Sequence, residues 1–326
     1  MAEISAQLVK QLRERTGAGM MECKKALQET NGDLAEAEVV LRKRGISSAT
    51  KKESRSAKQG LISSFISPDA NLGVLVEVNC ESDFVARTED FQALAAGIAA
   101  HIAETKPKVV KLENLAEAER ANIKAHEALY EQKFAADPAG ATVGDLVKTK
   151  IAKLGENINI SRFELYQVRE HGVIGNYIHT GAQIGVLLEL NTVNGAASGR
   201  EEFKTLVRDI AMQVAAAHPQ FVSREQVPAA LVDKERDIQR ERARGEGKPE
   251  KMVDKIAEGR MSKFYEEVCL LEQPFIRENT VSIAELVKTV GAKIGDTISI
   301  ARFERYKVGD SGDAPGIQES PLPVTD

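Results

Sequence analysis

Leu8, Val9 and Leu12 recur at helical spacing near the start of the chain, ahead of the turn Thr16-Gly17-Ala18-Gly19. A second run, Met20 to Glu29, stops at Asn31-Gly32. Asp33, with Glu36 three residues on, has the form of a capping box opening a third run that ends at Arg44-Gly45. The pattern predicts three short helices packed as one compact module over residues 1–45. From Ile46 to Gln59 the chain is rich in Ser, Lys and Arg and the apolar period is lost, which predicts a linker over 46–59. Beyond it the period changes. Gly73 to Val78 reads as an apolar strand, Thr88 to Ala103 as a helix, and Ile158-Asn159-Ile160-Ser161-Arg162-Phe163 as an alternating strand.

These elements occur twice. Gly73-Val74-Leu75-Val76-Glu77-Val78-Asn79 matches Gly185-Val186-Leu187-Leu188-Glu189-Leu190-Asn191 at an offset of 112 residues, and Phe91, Leu94 and Ile98 match Phe203, Leu206 and Ile210 at the same offset. Asp145 to Val168 matches Glu285 to Val308 at an offset of 140, with 14 of 24 positions identical, among them Lys153, Gly155, Ile158, Arg162, Glu164 and Tyr166. Chance does not give that, so the core is two related subdomains, expected at 60–170 and 171–308.

The two offsets differ by 28 residues, so the second copy carries extra chain between about Ala216 and Ala284. The charged stretch Ala229 to Glu267, with a turn at Gly245-Glu246-Gly247-Lys248-Pro249, is the candidate. Leu231 and Ile238 before the turn, and Val253, Ile256 and Phe264 after it, form thin apolar stripes, which predict a helical hairpin at about 229–267. Such a projection buries little within itself and commonly meets another molecule. The tail, 309–326, carries Gly, Pro and acids without period and reads as disordered. The expected class is α+β: a three-helix N-terminal module, two duplicated sheet subdomains and an inserted hairpin.

Composition narrows the function. A net charge of -5 argues against a general binder of nucleic acid, and the absence of Trp disfavours base-stacking platforms. No apolar stretch is long enough to span a bilayer, and the N-terminus lacks the regions of a signal peptide. Cys23, Cys80 and Cys269 are far apart and outside any CxxC spacing, as expected of reduced thiols in a cytoplasmic protein. The five histidines show no metal-ligand spacing, and neither a nucleophile elbow nor a phosphate-binding loop is present. Gly17-Ala18-Gly19 sits between helices rather than after a strand, so it reads as a turn and not as a dinucleotide fingerprint. Glu156 and Asp296 follow glycines at equivalent repeat positions, where turn chemistry accounts for them. No cofactor, resident metal or catalytic residue is indicated; the chain reads as a binder.

The most telling stretch is Val78-Asn79-Cys80-Glu81-Ser82-Asp83-Phe84-Val85-Ala86-Arg87, where a strand runs into a polar turn carrying an acid and a large aromatic side by side. Burying that carboxylate unpaired would cost several kcal/mol. Two readings stand at this point: an Asp that caps the next helix beside a Phe folded into the core, or a projecting wedge with Phe84 entering a partner's pocket and Asp83 fixing its approach.

Several segments together resemble the elongation factor Ts family, nucleotide-exchange factors for the translational GTPase elongation factor Tu. They are Leu8 to Leu27, Glu77 to Ala86, Ile151 to Ile160, Glu258 to Phe264 and Gln273-Pro274-Phe275, in order along the chain. Ser82 stands where the family often has Thr, which keeps the hydroxyl. The stretch Ala103 to Thr142 looks longer than in compact members. The resemblance implies a ubiquitin-associated-like N-terminal module that docks on the GTPase, a core of two antiparallel three-stranded subdomains, and a coiled-coil hairpin used in self-association. It implies that Ser82, Asp83, Phe84 and Val85 dislodge Mg²⁺ from the GTPase, that Arg13, Met20, Met21 and Lys24 are contacts of the N-terminal module, and that Leu154, Gly155 and His179 are contacts of the core. On residue type alone Arg13 and Lys24 are solvated charges, Gly155 serves a turn, and His179 is a satisfied polar group at a strand end. Adjacent methionines cannot face one way on a helix, so at least one of Met20 and Met21 is exposed. An adaptor for ubiquitin-like ligands would explain only residues 1–45, and an enzyme with its site between the repeats lacks a nucleophile, base or metal constellation.

Overall fold

The computed structural model describes residues 4–138, 140–168, 171–195 and 199–310; of the expected tail, 311–326 lie outside the described residues. The first three helices are α1 (Ala6–Thr16), α2 (Met20–Glu29) and α3 (Leu34–Thr50). Strands β1 (Gln59–Ile66) and β2 (Leu72–Cys80) lead into the single-turn α4 (Asp83–Ala86) and the long α5 (Glu89–Thr105). The single-turn α6 (Glu117–Arg120), α7 (Val143–Leu154) and β3 (Ile158–Gln167) complete the first repeat. The second repeat comprises β4 (Gly172–Ile178), β5 (Ile184–Thr192), α8 (Glu201–Ala217), α9 (Ala229–Gly245), α10 (Glu250–Val268), the short β6 (Pro274–Phe275) and β7 (Glu278–Ser282), α11 (Ile283–Ile294) and β8 (Ile298–Lys307).

In the N-terminal module Ser5 caps α1 by accepting the Leu8 N–H, and Asp33 caps α3 by accepting the Glu36 N–H at 2.9 Å. Leu12, Cys23, Ala26, Leu27 and Ala37 are buried between the three helices. The sequence reading ended α3 at Gly45, and the structure corrects it. The helix runs to Thr50, because Gly45 is a point of close packing and not a stop signal: a Cβ there would lie 2.9 Å from the Ala152 Cβ on α7. Ala49, inside the stretch read as a linker, is fully buried in the core of the first repeat. The remaining connector is also tied down, since the Asn157 side-chain amide donates to the carbonyls of Glu53 and Arg55 at 3.2 and 2.7 Å.

Each repeat is a three-stranded antiparallel sheet, ordered β1-β2-β3 and β4-β5-β8, with a bulge at the equivalent place, after Glu77 in one and after Glu189 in the other. Phe91, Leu94 and Ile98 of α5 cover the outer face of the first sheet, and Phe203, Leu206 and Ile210 of α8 that of the second. The inner faces meet through Ile62, Leu75, Tyr166, Ile174, Leu187 and Tyr306. Arg162 pairs with the buried Glu77 at 2.8 Å and lies 4.1 Å from the Tyr306 ring centre; Arg302 pairs with Glu189 at 2.7 Å and lies 3.9 Å from the Tyr166 ring centre. Glu164 and Glu304 share this interface. Burial, with Glu164 close by, pushes the Glu304 carboxyl up to about 7, and burial also raises Glu164.

In the hairpin, Arg236, Arg240 and Arg244 on α9 pair with Glu258, Asp254 and Glu250 on α10, one helical turn apart on each side. Between these pairs the seam holds Ala243, Val253, Ala257 and Met261, while Leu231 and Phe264 pack at the base with Phe221 and Cys269. Ile238, expected in the stripe, is 49% exposed. The helical phase that turns Ala243 inward turns Ile238 to the side, so the seam is narrower than the sequence suggests.

Two outcomes follow from this packing. Gly45→Val should overpack the α3–α7 contact, lower stability by about 1–3 kcal/mol and speed proteolysis in the 51–58 connector; an unchanged melting temperature would show that the contact tolerates bulk. Glu304→Gln should raise the melting temperature by a few degrees at pH 8. Folded Glu304 holds its proton to about pH 7 whereas the unfolded carboxyl loses it near 4.5, so its contribution to stability is present at low pH and lost as pH rises through that window. The gain should therefore shrink as pH falls toward 4.5, and a gain independent of pH would refute the assignment.

Candidate protein-contact site

The polar turn after β2 is held from several sides. Ser82, extended at φ -125°, is the N-cap of α4 and accepts the Val85 N–H. Its own backbone N–H and hydroxyl both donate to the Glu156 carboxylate, at 2.9 and 2.5 Å. Glu81 accepts the Asn157 N–H at 2.6 Å, and Ala86 anchors the far end of the turn in the core. The Cys80 thiol donates to the Ser82 carbonyl at 3.1 Å, and burial pushes that thiol up to about 12, out of reach of thiolate chemistry at neutral pH.

On this frame Phe84 is 80% exposed. The reading in which it folds into the core is thereby overturned, and so is the one in which Asp83 caps the helix. Ser82 is the cap, and Asp83 stands in the first turn with its carboxylate paired to exposed Arg87 at 2.9 Å, a contact that a partner's charge can replace at little cost. Val85 is half-buried against the first core. A groove of about 930 Å³ runs from Ser82, Asp83 and Arg87 across Leu61 to Gly181 and Gln183 in the turn between β4 and β5.

His179 opens that same turn. It is exposed, its backbone N–H donates to the Ile184 carbonyl at 2.9 Å, and its Nδ1 is hydrogen-bonded with the Tyr177 hydroxyl at 3.0 Å. Leu154 packs half-buried on the first core, and Gly155 closes α7 in the left-handed region at φ 83° with open space beside it. Thus Ser82 to Val85, the Leu154-Gly155 corner and the His179 turn lie around one region of the core.

The other four candidates stand on the N-terminal module. Arg13 and Lys24 are exposed, and Met20 and Met21 are exposed by 49% and 66% because α2 begins at Met20, before the module's core covers the helix. A Cβ on Gly17 would lie 2.9 Å from the Lys153 side chain, so the turn before these methionines abuts the end of α7. Sequence reasoning missed Glu156 and Asn157, which lace the turn to α7 and to the connector. Their signal was present in the repeat, where Glu156 and Asp296 follow equivalent glycines. Asp296 likewise accepts backbone N–H groups of Val193 and Asn194, at 3.1 and 3.2 Å.

The site is thus an exposed aromatic on a pinned turn beside a groove, the kind of surface a binding protein offers to another protein. The family model for elongation factor TS matches residues 81–310. The elongation factor Ts of Nostoc sp. (strain PCC 7120) is 43% identical over 312 residues, covering 95% of this chain and 94% of that protein. That of Prosthecochloris aestuarii is 43% identical over 309 residues, covering 95% and 100%, and that of Aquifex aeolicus 42% identical over 306, covering 94% and 98%. The chain belongs to the elongation factor Ts family, the nucleotide-exchange factors for elongation factor Tu in translation.

If Phe84 contributes nothing to the core, Phe84→Ala should leave the melting temperature within a few degrees of the parent. A loss near the ~3–5 kcal/mol of a core Phe truncation would contradict the exposed placement.

Proposed function

We propose that the Ser82–Val85 turn is the segment by which this factor drives Mg²⁺ and then GDP from elongation factor Tu. One observation carries the reading: Phe84 is 80% exposed on a turn pinned at Ser82 and anchored at Ala86. Seating an exposed Phe in an apolar slot of the GTPase gains roughly 1.5–3 kcal/mol. Mg²⁺ bridges phosphate and protein, so shifting the elements that hold it leaves phosphate charge poorly compensated and GDP weakly bound. Coupling is reciprocal, so GDP weakens the grip of this factor by the same factor by which the factor weakens GDP. No side chain of this chain is required to react covalently.

Asp83, freed from Arg87, orients the approach. Arg13, Met20, Met21 and Lys24 dock the N-terminal module, and Leu154, Gly155 and His179 contact the GTPase from the core. The Met pair supplies adaptable apolar area, and the two cations meet acidic groups on the partner. The hairpin carries contact between copies of the chain through the exposed Ile238 and Met252 beside its ion-pair ladder. The factor acts in the cytoplasm and needs no nucleic acid; no helix among the described residues is long and apolar enough to cross a membrane.

Phe84→Ala should cut the stimulation of labelled GDP release from elongation factor Tu at least about tenfold, and retention of full stimulation would dispose of the wedge. Replacing 229–267 with a short Gly/Ser turn should convert any dimer seen by light scattering to monomer while exchange falls less than for Phe84→Ala. If the mass in solution is unchanged, the hairpin does not mediate self-association.

A further inference from the structure

The geometry assigns to Glu156 the role of a positioning residue for exchange: it fixes the angle at which the Ser82–Val85 turn presents Phe84. This rests on the wedge reading given above. Glu156 follows Gly155, whose left-handed backbone turns the chain out of α7 and aims the next side chain at the exit of β2. There its two carboxylate oxygens are divided between two donors of one residue. The Ser82 N–H lies 2.9 Å from one oxygen and the Ser82 hydroxyl 2.5 Å from the other. Ser82 cannot rotate about χ1 or tilt its peptide without losing one of these bonds, and the same hydroxyl oxygen accepts the Val85 N–H that starts α4. The orientation of α4, and with it the Cα–Cβ direction of Phe84, is therefore set from a residue 74 positions away in sequence.

The second repeat supplies an internal control. Asp296, at the position equivalent to Glu156, grips the N–H of Val193 and Asn194 at the matching turn. The sequence there runs Val193-Asn194-Gly195-Ala196 and offers no Asp-Phe pair. Both clamps hold a strand exit, and only one of them holds a turn that carries an aromatic. A role confined to fold stability would make the two equivalent; a role in exchange separates them.

The test compares full-length chains acting on elongation factor Tu bound to labelled GDP, with the maximal release rate and the KM for the GTPase complex read separately. Glu156→Ala should lower the maximal rate about tenfold, as expected when a contacting group is displaced by a fraction of an ångström to an ångström. The KM should stay within about threefold, because the docking surfaces of the N-terminal module and core are intact. Glu156→Gln, which keeps the length and one of the two acceptors, should give a rate clearly below the parent and above that of Glu156→Ala. It also provides the reading should the alanine variant fold poorly. Asp296→Ala should leave the maximal rate unchanged. Combined with Phe84→Ala, Glu156→Ala should cause no further loss, since nothing remains for it to aim.

The assignment is overturned if Glu156→Ala and Glu156→Gln keep the parental rate, if Asp296→Ala lowers the rate equally, or if the double variant loses the full product of the two single effects. These outcomes are distinct from failure of the wedge itself, in which Phe84→Ala alone would retain full exchange.

Discussion

The contact between the two sheets is the constraint on which the rest of the molecule depends, and it is built as a reciprocal handshake. The Ile62 N–H donates to the Ala182 carbonyl, and its repeat equivalent, the Ile174 N–H, donates to the Ala70 carbonyl, at 2.7 and 2.8 Å. Gly73 and Gly185 are equivalent too, and a Cβ on either would fall 2.4 Å from an isoleucine methyl of the opposite repeat. At an exposed edge of the contact Asn176 donates to Ser64, residues that are themselves equivalent positions in the two copies. Each arginine of the interface is neutralised by a glutamate on its own sheet and stacked on a tyrosine of the other, so charge is buried only where it is paired. The exception is the Glu164 and Glu304 pair, where burial favours the protonated form.

This near-symmetry places the β4–β5 turn of the second repeat beside the β2 exit of the first, and the groove between them is its product. Symmetry at the core is broken at the periphery. α5 and α8 correspond, as do α7 and α11, but the chain between them differs: the first repeat uses an irregular crossing over 106–142 with α6, and the second extends α9 and α10 from the same place. Parallel bridges at Val109 with Ala128 and at Phe221 with Cys269 mark that shared departure point. The extra chain is thus an elaboration of an existing connection. It can project because the strands on either side are already paired by the rest of the repeat.

Much of this was legible in the chain because it rests on periodicity and on identity between copies. The matched segments gave two subdomains with sheets and covering helices, and the charged stretch around Gly245 gave the hairpin. Three things were not legible, each for a physical reason. Gly45 resembles a helix terminator, and only the nearness of Ala152 reveals that it is there for close packing. Ile238 looks like part of an apolar stripe, yet a narrow two-helix seam admits only one residue per turn from each helix. Glu156 looks like ordinary turn chemistry, since its partner Ser82 is far away in sequence and a single acidic residue announces no bond. For the candidate site, the residues proposed come from the family resemblance, whereas composition alone left Phe84 between core and surface.

The exposure of Phe84 has an energetic cost for the free protein that the surrounding bonds make sense of. A mobile aromatic on a loose loop would lose backbone freedom of about 1–2 kcal/mol per residue on seating, which would consume most of what its burial returns. Ser82, doubly held by Glu156, and Ala86, buried in the core, remove that cost before the encounter, because the turn is already ordered. On the reading proposed above, the mobile element is left to the partner: energy gained at Phe84 would go into shifting the GTPase and not into ordering this chain. An exchange factor has to weaken a nucleotide site it does not occupy, and a rigid turn transmits displacement where a flexible one would absorb it. The two-sheet core, the αL corner at Gly155 and the laced connector are the parts that supply that rigidity.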